Sequence, residues 1–256
     1  MEWVWWGLAA SAFFAGLIDA IAGGGGLIQL PSLLAAFPEQ GPATLFGTNK
    51  SASIWGTLTA ASRYWNRVKL EWGVLLPALL AALLGGWCGA RAVSLLPVAL
   101  LRPAILGLLI IVAYYTFTRH ELGLAHVRRH SHRTETVYGV LIGAGMGFYD
   151  GIFGPGTGAF LVFLFVRVLG YDFLHASAFS KLVNCATNIA ALGFFIPAGH
   201  VLWKIAGIMA LCNVGGAFVG TSLALKHGSR FVRWIFLVVV LALIAKIGHL
   251  TLVAAP

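Results

Sequence analysis

Apolar residues run along this chain in blocks of about twenty, separated by short polar connections, from one end to the other. A helix needs ~20 residues to cross a hydrocarbon core of ~30 Å. Blocks of about that length fall at 3–22, 43–65, 73–96, 100–118, 136–153, 173–196, 203–225 and 231–249. None shows the in-and-out alternation of barrel strands, and glycine is spread among them as in packed membrane helices. The pattern predicts an all-α membrane protein, a polytopic helical bundle. Two blocks lead into something shorter. Gly23-Gly24-Gly25-Gly26 follows the first, and the apolar run then resumes from Leu27 to Phe37, only ~16 Å of helix, before Pro38. Gly154-Pro155-Gly156-Thr157-Gly158 follows the fifth, with a resumed run at 159–169. Both are read as first helices broken by glycine.

The resemblance between these two places extends over the whole chain. A shift of 131 residues aligns the halves without a gap, pairing Gly16 with Gly147, Asp19 with Asp150, Gly23 with Gly154, Gly25 with Gly156 and Lys50 with Lys181. Trp72 pairs with Trp203, Gly85 with Gly216, Gly89 with Gly220 and Arg102 with Arg233. Apolar residues coincide easily in membrane helices, but an Asp, a Lys and an Arg do not. The expected organisation is a membrane repeat at 1–118, a basic linker at 119–135 and a second repeat at 136–256. The linker carries Arg119, Arg128, Arg129 and Arg133 against Glu121 and Glu135, which predicts a cytoplasmic location. If each short run turns back, the copies are inverted, and eleven Lys and Arg outside the spans fall on the linker side against four. If it crosses, the copies are parallel and the split is nine against six. Positive-inside bias favours inversion.

Composition narrows the function. The chain is 59% hydrophobic and 10% charged, where soluble domains carry ~25% charged residues. Its net charge of +9 lies in short loops that set topology, so nucleic acid is not an expected partner. Cys88, Cys185 and Cys212 sit inside apolar blocks without metal-ligand spacing and read as packing residues. His126, His130 and His132 read as part of a solvated linker, not as metal ligands. Glu2 and the tryptophans at 3, 5 and 6 stand where a signal peptide would be basic, predicting an uncleaved first helix with an interfacial aromatic anchor. No nucleotide-binding G-x-x-x-x-G-K-[ST] motif occurs. No nucleophile-base pairing is visible in the spans, so no enzyme and no cofactor is expected.

The chemistry concentrates at the breaks and beside two lysines. Backbone freed by glycine is tolerated at membrane depth only where protein or a water-filled cavity satisfies it. Gly23, Gly24, Gly25 and Gly26, with Gly154, Gly156, Thr157 and Gly158, would present helix N-termini to an anion. Lys50 lies beside Thr48 and Asn49, and Lys181 beside Ser180 and Asn184, each about two turns inside its span. An ammonium there costs roughly 3 kcal/mol without a partner. Asp19 and Asp150 are the protein candidates for that partner. Two readings stand: ion pairs that hold the bundle, or lysines that meet substrate while the aspartates take a coupling proton. Ser51, Ser53, Thr57, Thr187 and Asn188 extend a polar stripe that can equally join helices.

These motifs resemble those of the TauE/SafE sulfite exporter group, also called the 4-toluene sulfonate uptake permeases. The resemblance rests on the segment from Gly16 to Gly26, on Pro31 and on Gly47-Thr48-Asn49-Lys50. In the second half it rests on the segment from Gly147 to Gly156 with Lys181 and Asn184. It implies a secondary transporter of the cell inner membrane for sulfite, an organosulfonate or a related sulfur-containing anion, moved by alternating access with ion coupling. An anion channel or a non-transporting assembly subunit is the alternative. The expected partners are a small anionic substrate and membrane lipid, with oligomeric state left open. The copies are not identical: Ser180 stands in place of Asn49, and Thr187-Asn188 comes eight residues later in register than Thr48-Asn49.

Overall fold

The computed structural model describes residues 2–92, 122–127 and 130–253, and among these every regular element is helical. The predicted block at 100–118, Arg102, and linker positions 119–121, 128 and 129 lie outside the described residues. Helix α1 (Glu2–Ala22) ends where Gly23 and Gly24 take φ values of 81° and 98°, a region closed to most residues with a Cβ. Helix α2 (Gly26–Ala36) begins at once. Its Leu30 and Leu33 share an apolar cluster with Leu8 and Ala12 of α1, so α2 turns back along α1. It stops at Phe37, because the ring of Pro38 disfavours helical backbone in the residue before it.

Helix α3 (Pro42–Trp65) starts on a proline, where no N–H is needed, and α4 (Trp72–Ala92) follows a short turn. The second half opens with α5 (His132–Ile152), capped by the Ser131 hydroxyl, which accepts from the Thr134 N–H. Gly154 and Gly156, at φ 85° and 88°, then lead into α6 (Thr157–Leu164). This helix also turns back: Thr157 reaches Asp150, and the Phe160 ring meets the edge of Tyr149 at 5.7 Å. A widened turn at Phe165–Leu169 ends at Gly170, and α7 (Phe173–Phe195) follows. Helix α8 (Trp203–Val253) occupies both of the last two predicted blocks. In place of a loop between them, Gly228 alone breaks the run, at φ 70° and ψ −168°.

Among the described residues, four segments are long and apolar enough to cross a membrane: Val4–Ala22, Trp72–Ala92, Phe173–Phe195 and Trp203–Ala242. Helices α3 and α5 have comparable lengths, 24 and 21 residues, but polar positions lower their hydropathy. Glycines set how the helices meet. A Cβ on Gly216 would collide with the Phe13 carbonyl and one on Gly220 with that of Leu17; 131 residues away in both partners, Gly85 abuts Ala144 and Gly89 abuts Phe148. Numbers rise together along each contact, so α1 runs parallel to the first arm of α8, and α4 runs parallel to α5. Such close backbone approach is how helices associate without a hydrophobic driving force. Helix α3 also follows α8, with Gly47 at His200 and Arg63 bonded to Ser222. Helix α7 runs the other way. Ser177 donates to the Ile21 carbonyl while Lys181 reaches Asp19, and Lys50 reaches Asn188 while Gly47 faces Phe195.

Candidate functional site

Two ion pairs, one buried and one part-buried, stand where the broken helices cross. The Lys50 Nζ lies 2.7 Å from Asp150 Oδ2, and the Lys181 Nζ lies 2.9 Å from Asp19 Oδ2. Each lysine of one half is matched with the aspartate of the other. The position of each aspartate follows from the local sequence: it sits in the last turn of its helix, just before the glycine break. Asp150 is fixed further by the Thr157 hydroxyl, which donates to Oδ1 at 2.8 Å, and Asp19 Oδ1 accepts from the Gly25 N–H at 3.4 Å. Lys50 also donates to Asn188 Oδ1 at 3.3 Å. A Cβ on Gly23 would collide with the backbone of Gly158, so only glycine lets the two breaks touch.

A cavity of about 40 Å³ opens between the breaks. Asp19, Lys50 and Asp150 line it, with Asn49 and Asn184. Backbone and side-chain atoms of the breaks complete that wall: Gly24, Gly25 and Gly26 from the first, Gly154, Gly156, Thr157 and Gly158 from the second. Four residues expected at the site are not on its lining. Gly23 is used in the crossing with Gly158. Thr48 donates to the Thr44 carbonyl at 2.7 Å and accepts from the Leu202 N–H at 2.9 Å, tying α3 to the start of α8. Ser180 donates to the Gly158 carbonyl, and Lys181, fully buried, stands behind Asp19.

Other residues on the lining were outside the expected set. Ser53, Thr57 and Asn188 come from the polar stripe, and Phe46 and Phe153 form an apolar edge with ring centroids 6.2 Å apart. Gln29 and Asn213 had no place in the sequence reading at all. The available signal was a single amide inside each of two strongly apolar runs.

A second cluster lies on the linker. His126 stacks on Tyr171 at 4.9 Å and brings its Nδ1 to 3.9 Å from Asp172 Oδ2, an oxygen that also hydrogen-bonds the His175 ring. The three donor groups fall within 4.8 Å of one another, a spacing a metal ion can use. Asp172 Oδ1 is occupied by Leu174 N–H, His175 N–H and Ser229 Oγ. Burial pushes the Asp172 carboxyl up, but the hydrogen bonds from His175 and Ser229 outweigh it and hold it at about 2.

A helical bundle with apolar spans around a small charged cavity suits a multi-pass membrane transporter. The chain belongs to the family described as Sulfite exporter TauE/SafE, which matches residues 8–247. It is similar to the "Probable membrane transporter protein ORF9" of Sinorhizobium sp, 36% identical over 241 residues, covering 94% of this chain and 90% of that one. It is also similar to a "Probable membrane transporter protein" of Haemophilus influenzae, at 30% identity over 93% of this chain and 91% of the relative. For the "Probable membrane transporter protein YfcA" of Escherichia coli K12 the identity is 31%, over 92% and 86%. No solved structure matches.

Proposed function

We propose that this protein is a secondary transporter of the cell inner membrane that carries a small sulfur-containing oxyanion through the cavity between the two glycine breaks, coupled to protons. The observation that carries the reading is the exchange of charge between halves: Lys50 with Asp150, and Lys181 with Asp19, at the crossing of both broken helices. Two ammonium and two carboxylate groups sum to zero. A monoanion entering this cavity therefore adds uncompensated charge in a low-dielectric site, where charge is expensive. Uptake of one proton restores neutrality. Asp150 is the group placed to accept it, because an anion that takes over the Lys50 ammonium displaces the Asp150 carboxylate from it. The glycine-entered N-termini of α2 and α6 add partial positive charge beside the same space.

Opposed helix directions support an inverted pair of repeats, in which α1, α3 and the first arm of α8 run against α4, α5 and α7. In such a carrier one half rocks against the other around a fixed midplane site. Exchange of ion pairs between the halves suits that motion, since each pair spans the moving boundary. The linker then faces the cytoplasm, so a cysteine at exposed Ala125 should resist membrane-impermeant thiol reagent in intact cells.

The decisive experiment is flux. Purified protein in liposomes should take up sulfite saturably, faster with sulfite inside, and should accumulate it when a pH gradient is imposed. Uptake that never saturates would make the protein a channel, and no uptake of sulfite or methanesulfonate would sink the reading. Asp150→Asn should keep sulfite-for-sulfite exchange and lose pH-driven accumulation.

A further inference from the structure

Resting on the oxyanion reading of the cavity, we propose that Gln29 is its specificity-determining residue, donating its side-chain N–H to one oxygen of a compact oxyanion, with Asn213 as the positioning residue that aims it. Gln29 is fully buried near the start of α2, and it lines the cavity. Its Oε1 accepts from Asn213 Nδ2 at 3.0 Å. Its Nε2 is buried and has no hydrogen-bond partner among the described residues. A buried donor left unpaired costs about 1–3 kcal/mol, so such groups are nearly always satisfied, by water or ligand where protein offers nothing.

The orientation of the amide follows from the network. Asn213 Nδ2 also donates to the Ala12 carbonyl at 3.1 Å, which fixes that atom as nitrogen. Gln29 must then present its oxygen to Asn213, since a flipped amide would set N–H against N–H. Its own N–H group is thereby left to the cavity. Asn213 is itself held, because its carbonyl oxygen occupies space that exists only while residue 56 is glycine.

This amide pair breaks the symmetry of the site. At the shift of 131 that relates the halves, Gln29 corresponds to Phe160 and Asn213 to Ala82. The lysines and aspartates are present twice, and the amide donor once. A lysine attracts any anion, whereas a neutral, aimed N–H requires an acceptor atom at one place. Size adds to the requirement: about 40 Å³ is room for roughly three waters at 10–15 Å³ each. That space favours a compact oxyanion such as sulfite over a bulky arenesulfonate.

The test uses the full-length protein in detergent, with sulfite as probe, followed by calorimetry or ligand-dependent thermal stability. Gln29→Met keeps length and apolar volume but removes the donor, and should weaken sulfite binding about 10- to 100-fold, the range for one hydrogen bond to a charged group. Gln29→Glu keeps the acceptor that Asn213 uses while replacing the cavity N–H by a carboxylate oxygen, and should abolish sulfite binding. It decides the matter if Gln29→Met does not fold. Asn213→Ala should weaken binding less, and should add nothing in the double variant with Gln29→Met, which a purely structural role would not produce. Sulfite affinity within twofold of the original in folded Gln29→Met overturns the proposal, as does competition by 4-toluenesulfonate equal to that of sulfite. Absence of sulfite binding and flux in the unsubstituted protein would instead remove the oxyanion reading, and this assignment with it.

Discussion

The two ion pairs hold equivalent sequence positions, yet they sit in different surroundings. Lys50 and Asp150 both line the cavity, and each has a neutral second partner, Asn188 for the ammonium and Thr157 for the carboxylate. In the other pair only Asp19 reaches the cavity; Lys181 is fully buried behind it. The neighbours of the two pairs differ, so that one pair faces the cavity with both of its members and the other with its carboxylate alone. Under the proposed function, the difference teaches that the same chemistry would serve transport in one pair and cohesion in the other.

The largest expected effect separates the aspartates. Asp19→Asn leaves the fully buried Lys181 ammonium without a carboxylate, and breaking a buried pair in this way costs about 3–5 kcal/mol. Asp150→Asn leaves Lys50 beside Asn188 and the cavity, and should cost about half as much by the same reasoning. Denaturant or thermal unfolding in detergent measures both, and equal losses would show that the two sites are not differently sealed.

Next comes binding, where the comparison reverses. Lys50→Met should lower sulfite affinity by about 10- to 100-fold, as for loss of a charged hydrogen bond, in protein that remains folded. Lys181→Met, once folded, should stay within about threefold, a change smaller than one neutral hydrogen bond. Equivalent positions in the two halves do not reveal which lysine faces the cavity. Equal loss in both would mean that the two lysines contribute alike despite their different neighbours.

How far the sequence reached can be judged from these residues. Glycine clusters and lysines inside apolar runs are visible because they violate the expectations for a membrane span. Breaks at Gly23 and Gly154 and the depth of Lys50 were therefore legible. Which aspartate meets which lysine was not, since a contact between residues 100 positions apart depends on helix packing that no local pattern encodes. Gln29 is not legible as a site residue, because one amide in an apolar run looks like ordinary variation until its neighbour is known. His126 is exposed, as a solvated linker predicts, but Tyr171, Asp172 and His175 reach it only through the fold. The reduction of a whole predicted loop to Gly228 is a further case, because the polar residues around it suggested a connection longer than the backbone needs.

A smaller effect tests the glycine crossing. Gly23→Ala places a Cβ against the Gly158 backbone at a φ of +81°, and overpacking of this kind costs about 1–3 kcal/mol. Gly26, two residues beyond Gly24 in the same cluster, has nothing nearer than 3.7 Å to a Cβ. Gly26→Ala should change stability by no more than about 0.5 kcal/mol, as at an unconstrained site. A comparable loss in both variants would mean that the cluster matters for flexibility and not for the close crossing.

The smallest effect concerns the entry to the lysine helices, where the halves differ again. Helix α7 is capped by Asp172, whereas α3 at the corresponding position has Gly41 and no side-chain cap. Asp172→Ala should therefore cost about 1 kcal/mol, the usual value for a lost cap, while Gly41→Ala lacks any side-chain bond to lose. The charged form of Asp172 is the one that His175 and Ser229 stabilise, so its carboxyl is lowered from 3.8 to about 2. A lowered folded-state value means that the stabilisation is complete above pH ~4 and fades as pH falls toward 2. Asp172→Asn removes this titration while keeping an oxygen for the cap. Unfolding midpoints measured between pH 5 and pH 3 should thus fall more steeply for the unsubstituted protein than for Asp172→Asn, with His126, His175 and Ser229 intact in both. Parallel pH profiles would show that Asp172 acts at α7 only as a neutral cap, and that its bonds to His175 and Ser229 do not contribute to the stability of the linker face.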